Sequence, residues 1–215
     1  MSRRGLIPNT VTYNTIIGGL CDAGRPLDAC MLLDEMQTHG QLPNLFTYAT
    51  LLKFLCKEKR LDEALLLLKM IEDDGLVPNI VIYSILIDGM CKAGKLDAAK
   101  EILLSLPMKG LQPDTRSYTI VINGLCKQGK LKEANEFLNK MEEKGCLPNG
   151  YTYNIIIQAF LQDEEITKAI ELLRVMLARG FSANACTTNL VVNFLCDDGL
   201  DPSHKEGLRK FFNIT

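Results

Sequence analysis

The chain repeats itself every 35 residues. Tyr13, Tyr48, Tyr83, Tyr118 and Tyr153 keep that step, and Thr188 takes the sixth place. Gly5, Gly40, Gly75, Gly110, Gly145 and Gly180 keep it too. So do Pro8, Pro43, Pro78, Pro113 and Pro148, with Ala183 at the last position. Ala29, Ala64, Ala99, Ala134 and Ala169 recur in the second half of each unit. A unit of this size cannot bury its own apolar surface, so neighbouring units must cover one another. The chain is thereby restricted to a stack of similar elements in sequence order.

Hydrophobic periodicity identifies the element. In Thr115–Asn149, Tyr118, Val121, Ile122 and Leu125 fall at i, i+3, i+4 and i+7, and Ala134, Phe137, Leu138 and Met141 do the same. Both patterns describe one apolar stripe on an amphipathic helix. The predicted fold is all-α, a right-handed solenoid superhelix of two-helix repeats with a concave face. Five complete repeats are expected at 10–44, 45–79, 80–114, 115–149 and 150–184. Residues 1–9 form the tail of a preceding repeat, as in a piece of a longer array, and 185–215 form a partial or degenerate terminal one. No domain boundary is evident.

In the first repeat the helices are placed near Val11–Cys21 and Leu27–Thr38. Pro26 suits a helix start, where its missing N–H would be unpaired anyway, and Gly40 suits the helix end. Lys59 stands where the other early repeats have glycine, so that turn is expected to use angles open to lysine. Pro107 is expected to bend or end its helix early. Gln162–Glu165 makes the fifth interhelix turn acidic. In the last repeat, Leu208, Phe211 and Phe212 can cover the final interface, and His204 is expected to be exposed or satisfied near a helix start.

The composition, 47% hydrophobic and 23% charged, is that of a folded chain. Ile80–Met90 is apolar, but it is short and contains Asp88, so a core helix is expected and no membrane association. A net charge of -2 argues against purely electrostatic nucleic-acid binding, while leaving room for a local basic stripe. Cys21, Cys56, Cys91, Cys126 and Cys196 share one place per repeat and lack metal-ligand spacing, so they are expected in the core of a protein from a reducing compartment. The start, MSRRGLIPNT, has no apolar signal segment. His39 and His204 have no recurring acid partner, and no nucleotide-binding or hydrolase motif occurs. The pairs Asp34–Glu35, Asp73–Asp74 and Glu142–Glu143 read as solvated helix ends. No enzyme activity and no cofactor or metal is expected.

Variation within the regular frame is more telling. The residue after each aligned Tyr is Asn14, Ala49, Ser84, Thr119 or Asn154, with Asn189 after Thr188. Asn44, Asn79, Asp114 and Asn149 follow the inter-repeat prolines, and Asn184 follows Ala183. Helix capping accounts for the second set. It does not account for the first, which lies one turn inside the helix.

VTYNTIIGGLCDAG, IVIYSILIDGMCKAG and SYTIVINGLCKQG resemble the first-helix motif of the pentatricopeptide repeat family, in particular its plain P class and restorer-of-fertility-like plant members. The resemblance covers nearly the whole chain. It implies single-stranded RNA as partner, bound at about one nucleotide per repeat, with the protein running in the 5′ to 3′ direction of the RNA. The implied base-reading pairs are Asn14/Asn44, Ala49/Asn79, Ser84/Asp114, Thr119/Asn149 and Asn154/Asn184. Asn/Asn resembles a pyrimidine reader, Thr/Asn an adenine reader and Ser/Asp a guanine reader, while Ala/Asn is open. Val11, Phe46, Val81, Arg116 and Tyr151 take the place that sandwiches bases; Cys186 is small there, and Arg116 departs from the usual apolar choice. Lys57, Lys92 and Lys127 resemble the residues that contact the RNA backbone, a stripe missing at Asp22, Gln162 and Asp197. The same resemblance implies a mitochondrial protein, with the chloroplast as runner-up, acting as a monomer in organellar RNA processing, stabilisation or translation with possible protein partners. Two alternatives are a protein-binding scaffold and a truncated product with little binding of its own.

Overall fold

The computed structural model describes residues 8–196 and 199–211, without the side chain of Phe211. The sequence expectations for residues 1–7, Asp197 and Phe212 lie outside the described residues, as does the side-chain role expected of Phe211. Among the described residues the regular structure is helical and contains no strand. The first helices of the repeats are α1 (Thr10–Asp22), α3 (Leu45–Lys57), α5 (Ile80–Lys92), α7 (Thr115–Lys127), α9 (Gly150–Gln162) and α11 (Ala185–Cys196). The second helices are α2 (Pro26–Thr38), α4 (Leu61–Asp73), α6 (Leu96–Ser105), α8 (Leu131–Glu143), α10 (Ile166–Ala178) and α12 (Pro202–Phe211). The helix-pair repeat solenoid is therefore present, with helix starts 35 residues apart through α11.

The chain divides into two compact units, Met1–Gln112 and Pro113–Thr215. In the first, α1 packs on α3 and α3 on α5, while each second helix packs on its own first helix. The second unit repeats the arrangement with α7, α9 and α11, and α12 also packs on α10. Ala29, Ala64, Ala99, Ala134 and Ala169 are all fully buried, since a methyl group lets the helices approach closely. Thr188 is half-buried where the other repeats carry a buried Tyr.

Three of the buried tyrosines tie their first helix to the end of a second helix. The Tyr13 hydroxyl lies 3.1 Å from His39 Nδ1, Tyr48 donates to Asp74, and Tyr153 donates to Glu142 Oε1 at 3.2 Å. Arg179 covers the Tyr153 ring and pairs with Glu142 at 2.9 Å. Asp74 and Glu142 are thus structural acceptors instead of simply solvated carboxylates. Burial and Glu142 push the Tyr153 phenol up to about 12, so this hydroxyl remains a donor at physiological pH. His204 is satisfied as well, by the Thr167 hydroxyl at 2.9 Å.

The interhelix turns explain the glycine pattern. After α7, Gly129 adopts φ 69°, and Lys130 N–H returns to Leu125 O at 3.0 Å, closing the helix end. Lys59 does not use angles comfortable for lysine: it takes φ 58°, and Glu164 takes φ 59°. The turn is kept because Arg60 N–H bonds Leu55 O and Glu165 N–H bonds Phe160 O, each at 2.9 Å. A side chain in this region costs on the order of 1 kcal/mol. Lys59→Gly and Glu164→Gly are therefore each expected to raise unfolding stability by about 1 kcal/mol in urea titration. In the third repeat, α6 stops at Ser105 and the chain continues as a 3-10 turn, Leu106–Lys109, around Pro107.

Candidate nucleic-acid interface

Six asparagine or aspartate residues open the first helices. Asn44 Oδ1 accepts the N–H groups of Phe46 and Thr47, both at 3.0 Å. Asn79, Asp114, Asn149 and Asn184 cap their helices in the same way, as does Asn9. This consumes an oxygen of each residue, yet all five of the predicted reading residues in this set are exposed. An asparagine so held still has its amide N–H2 to donate, whereas Asp114 keeps a second carboxylate oxygen that can accept. Capping and ligand recognition are therefore compatible at one residue.

The residues that follow the tyrosines behave differently. Asn14, Ser84, Thr119 and Asn154 are buried, Ala49 is half-buried and Asn189 is exposed. Thr47 Oγ1 donates to Asn14 Oδ1 at 2.6 Å, and Thr119 and Thr152 share a hydroxyl contact of 2.8 Å. Asn154 is engaged at both ends: Oδ1 takes the Thr187 hydroxyl at 2.6 Å and the Asn184 N–H at 2.9 Å, while Nδ2 donates to Gly150 O at 2.7 Å. These contacts run from one repeat to the next. They are a role that helix periodicity alone does not reveal.

One turn earlier the pattern inverts. Val11, Phe46 and Tyr151 are 70%, 65% and 66% exposed, although their neighbours at the next positions face inward. Val81 is half exposed, and Arg116 and Cys186 are exposed. An apolar side chain held in solvent at one register of successive helices is poised to cover something flat and apolar.

In the first unit these residues meet. An open cleft of about 760 Å³ is lined by Val11, Asn14, Phe46, Ala49, Lys53 and Lys57, together with parts of α1 and the Ile85 side of α5. Apolar walls, a polar floor and a cationic rim thus share one space. Lys53 was missed by the repeat comparison because the other repeats lack lysine there; its i, i+4 spacing to Lys57 was the available signal. Asp22 also borders the cleft and weakens its positive end. Lys92 is paired with Asp88 at 2.6 Å, whereas Lys57 and Lys127 are exposed without an acidic partner among the described residues. The three lysines are therefore not equivalent.

The model of the PPR repeat family matches residues 8–57, 43–91, 78–127, 117–162 and 152–197. The chain belongs to the PPR repeat family. Among solved structures, the pentatricopeptide repeat protein PPR10 from maize is similar over 99% of this chain and 30% of its own, at 30% identity and a TM-score of 0.76. PPR10 in complex with an 18-nt psaJ RNA element matches 97% of this chain and 31% of its own, with 25% identity and a TM-score of 0.76. The PPR domain of Arabidopsis thaliana protein-only RNase P 1, solved with tRNA, shares the fold at 18% identity and a TM-score of 0.67, covering 86% of this chain and 97% of that domain. The chain spans under a third of the length of PPR10. No curated protein sequence matches it significantly.

As a PPR chain it carries no grouping of three His, Cys, Asp or Glu able to hold a metal among the described residues. No described helix is long and apolar enough to cross a membrane. All eight cysteines are free thiols. Cys21 and Cys56 are buried and Cys91 and Cys126 half-buried, but Cys196 is exposed, which corrects its assignment to the core; among the described residues no helix covers it as α5 covers Cys56. Burial raises Cys91 and Cys126 to about 12. At pH 8 their thiolate fraction then falls on the order of 10³-fold below an ordinary cysteine. Iodoacetamide at pH 8 is expected to label Cys186 and Cys196 first and to leave Cys91 and Cys126 unmodified until the fold is lost, as mass spectrometry of tryptic peptides will show.

Proposed function

We propose that this chain binds single-stranded RNA selectively, at about one base per repeat, using the pairs Asn14/Asn44, Ala49/Asn79, Ser84/Asp114, Thr119/Asn149 and Asn154/Asn184. The observation that carries the proposal is the first-unit cleft, which joins exposed Val11 and Phe46 to Asn14, Ala49 and the Lys53–Lys57 rim. Unpaired bases present flat faces and Watson–Crick edges, while their phosphates require cations. The cleft supplies a complement to each. The RNA-bound state of PPR10 supports the same reading.

The donor and acceptor inventory supports particular bases. The free amide of Asn44 suits the acceptors on a pyrimidine edge, and the uncommitted oxygen of Asp114 suits the N–H groups of guanine. The expected site, 5′ to 3′, is pyrimidine, unassigned, guanine, adenine, pyrimidine. Asn154 contributes least to this pattern, because both ends of its amide are already bonded. The RNA task is occupancy in an organelle, with the mitochondrion expected from the restorer-of-fertility-like first-helix motifs: a bound segment is shielded from nucleases or handed to another factor. In vitro selection from a short random single-stranded RNA pool tests this directly. Enrichment of the stated pattern is expected; equal recovery of all sequences would end the base-reading proposal.

A further inference from the structure

The third residue of three of the first helices has a part in this reading. Thr47, Thr152 and Thr187 are completely buried, and each touches the reading residue of the repeat before it. Thr47 Oγ1 also receives the Asn44 N–H at 3.1 Å, and Thr152 Oγ1 receives the Asn149 N–H at 3.4 Å. One hydroxyl therefore joins both members of a reading pair: Asn14 with Asn44, and Thr119 with Asn149. At the fifth pair, Asn184 N–H reaches Asn154 Oδ1 directly beside the Thr187 contact.

Counting protons shows what the contact fixes. A threonine hydroxyl has one proton to give. For Thr47 the nearer acceptor is Asn14 Oδ1 at 2.6 Å, against 3.2 Å to Asn44 Oδ1. Asn14 is thereby held with its oxygen turned onto Thr47, and its Nδ2 is the end left for the cleft that it lines. Thr119 gives its own proton to Thr115 O at 2.6 Å, so it accepts the Thr152 proton at 2.8 Å. A different reading residue is thus held in a different protonic arrangement by the same device. The second repeat departs from the device by the same logic. Ala49 has nothing to orient, and the corresponding place on the next first helix is apolar Ile82. A buried hydroxyl without a partner would be costly there.

We propose that Thr47 and Thr152 are positioning residues that fix which hydrogen-bonding group the preceding repeat presents to its base, whereas the same contact from Thr187 falls on Asn154, whose amide is bonded at both ends. Base reading by one repeat is then completed by the repeat that follows it. This rests on the base-reading function proposed above.

The test uses the full chain and Thr47→Val, which keeps the shape and removes the hydroxyl. Labelled single-stranded RNAs differing only between uracil and adenine at the base facing the first repeat are compared by competition. The parent is expected to discriminate about tenfold. T47V is expected to fall within about twofold of no preference, and Thr47→Ser to recover it. Discrimination unchanged in T47V overturns the positioning role while leaving RNA reading intact. No discrimination at any position by the parent overturns the base reading itself, and this inference with it. A ligand-free measurement separates the two cases further. Urea midpoints are measured for N14A, T47V and N14A/T47V, the last pairing alanine with a β-branched apolar residue as Ala49 and Ile82 do. The double variant is expected to lie well above the sum of the two losses; strictly additive losses would show that Thr47 does not hold Asn14 and would overturn the proposal whatever the RNA result.

Discussion

Gly89→Ala is expected to destabilise the first unit by about 2–3 kcal/mol, although alanine is the better helix former. A Cβ at Gly89 would lie 2.5 Å from Cys56 Sγ and 2.6 Å from Cys56 Cβ. Neither distance is tolerable, and the second involves an atom fixed to the backbone of α3. Cys56 is buried. The roughly 1 kcal/mol that alanine contributes through helix propensity is therefore outweighed by separation of α3 from α5. Chemical denaturation monitored by far-ultraviolet circular dichroism measures the loss. A Cys56→Gly change in the G89A background removes the opposing Cβ and is expected to bring the double variant close to Cys56→Gly alone. If G89A instead raised the midpoint, the close approach of the two helices would be wrong.

The second large effect is electrostatic. Replacing Lys53, Lys57 and Lys127 together by Ala is expected to lower affinity for the selected RNA about a hundredfold near 0.1 M salt and to reduce the slope of log K against log salt by about 2. The reason is counterion release, to which each lysine at a single-stranded phosphate contributes about 0.7. Lys92→Ala is expected to change affinity much less, because Asp88 already neutralises that ammonium at 2.6 Å. Asp88→Asn should free it and strengthen binding. Fluorescence anisotropy titrations over a salt series report both quantities. An unchanged slope in the triple variant would remove these lysines from the interface, whereas a lost base preference with an unchanged slope would place the defect at the reading residues.

Much of this molecule is legible as spacing. The positions of Tyr13, Ala29 and Gly40 and their copies announce two helices and a turn, and in the first repeat the helix ends fall within one residue of where those signals place them. Lys59 shows where the same reasoning fails. Its side chain argues for a different turn, but the six-residue helix closure around it demands φ 58°, and the closure prevails. The charged pairs show another limit: Asp74 and Glu142 look solvated until tyrosine hydroxyls from the first helices reach them.

The candidate site divides in the same way. Sequence alone determined that the chain is a stack of helix pairs, because a 35-residue period with two amphipathic stripes has no other means of burying its apolar faces. It also singled out Asn44, Asn149 and their equivalents, since capping chemistry is local to a helix end. Only the tertiary structure decided that Asn14, Thr119 and Asn154 are gripped by Thr47, Thr152 and Thr187, and that α1, α3 and α5 bring Val11, Asn14, Phe46 and Lys53 to one cleft. Most of these partners come from different helices or repeats, and a hydrogen bond depends on where the fold brings two atoms, which residue spacing along one helix does not encode.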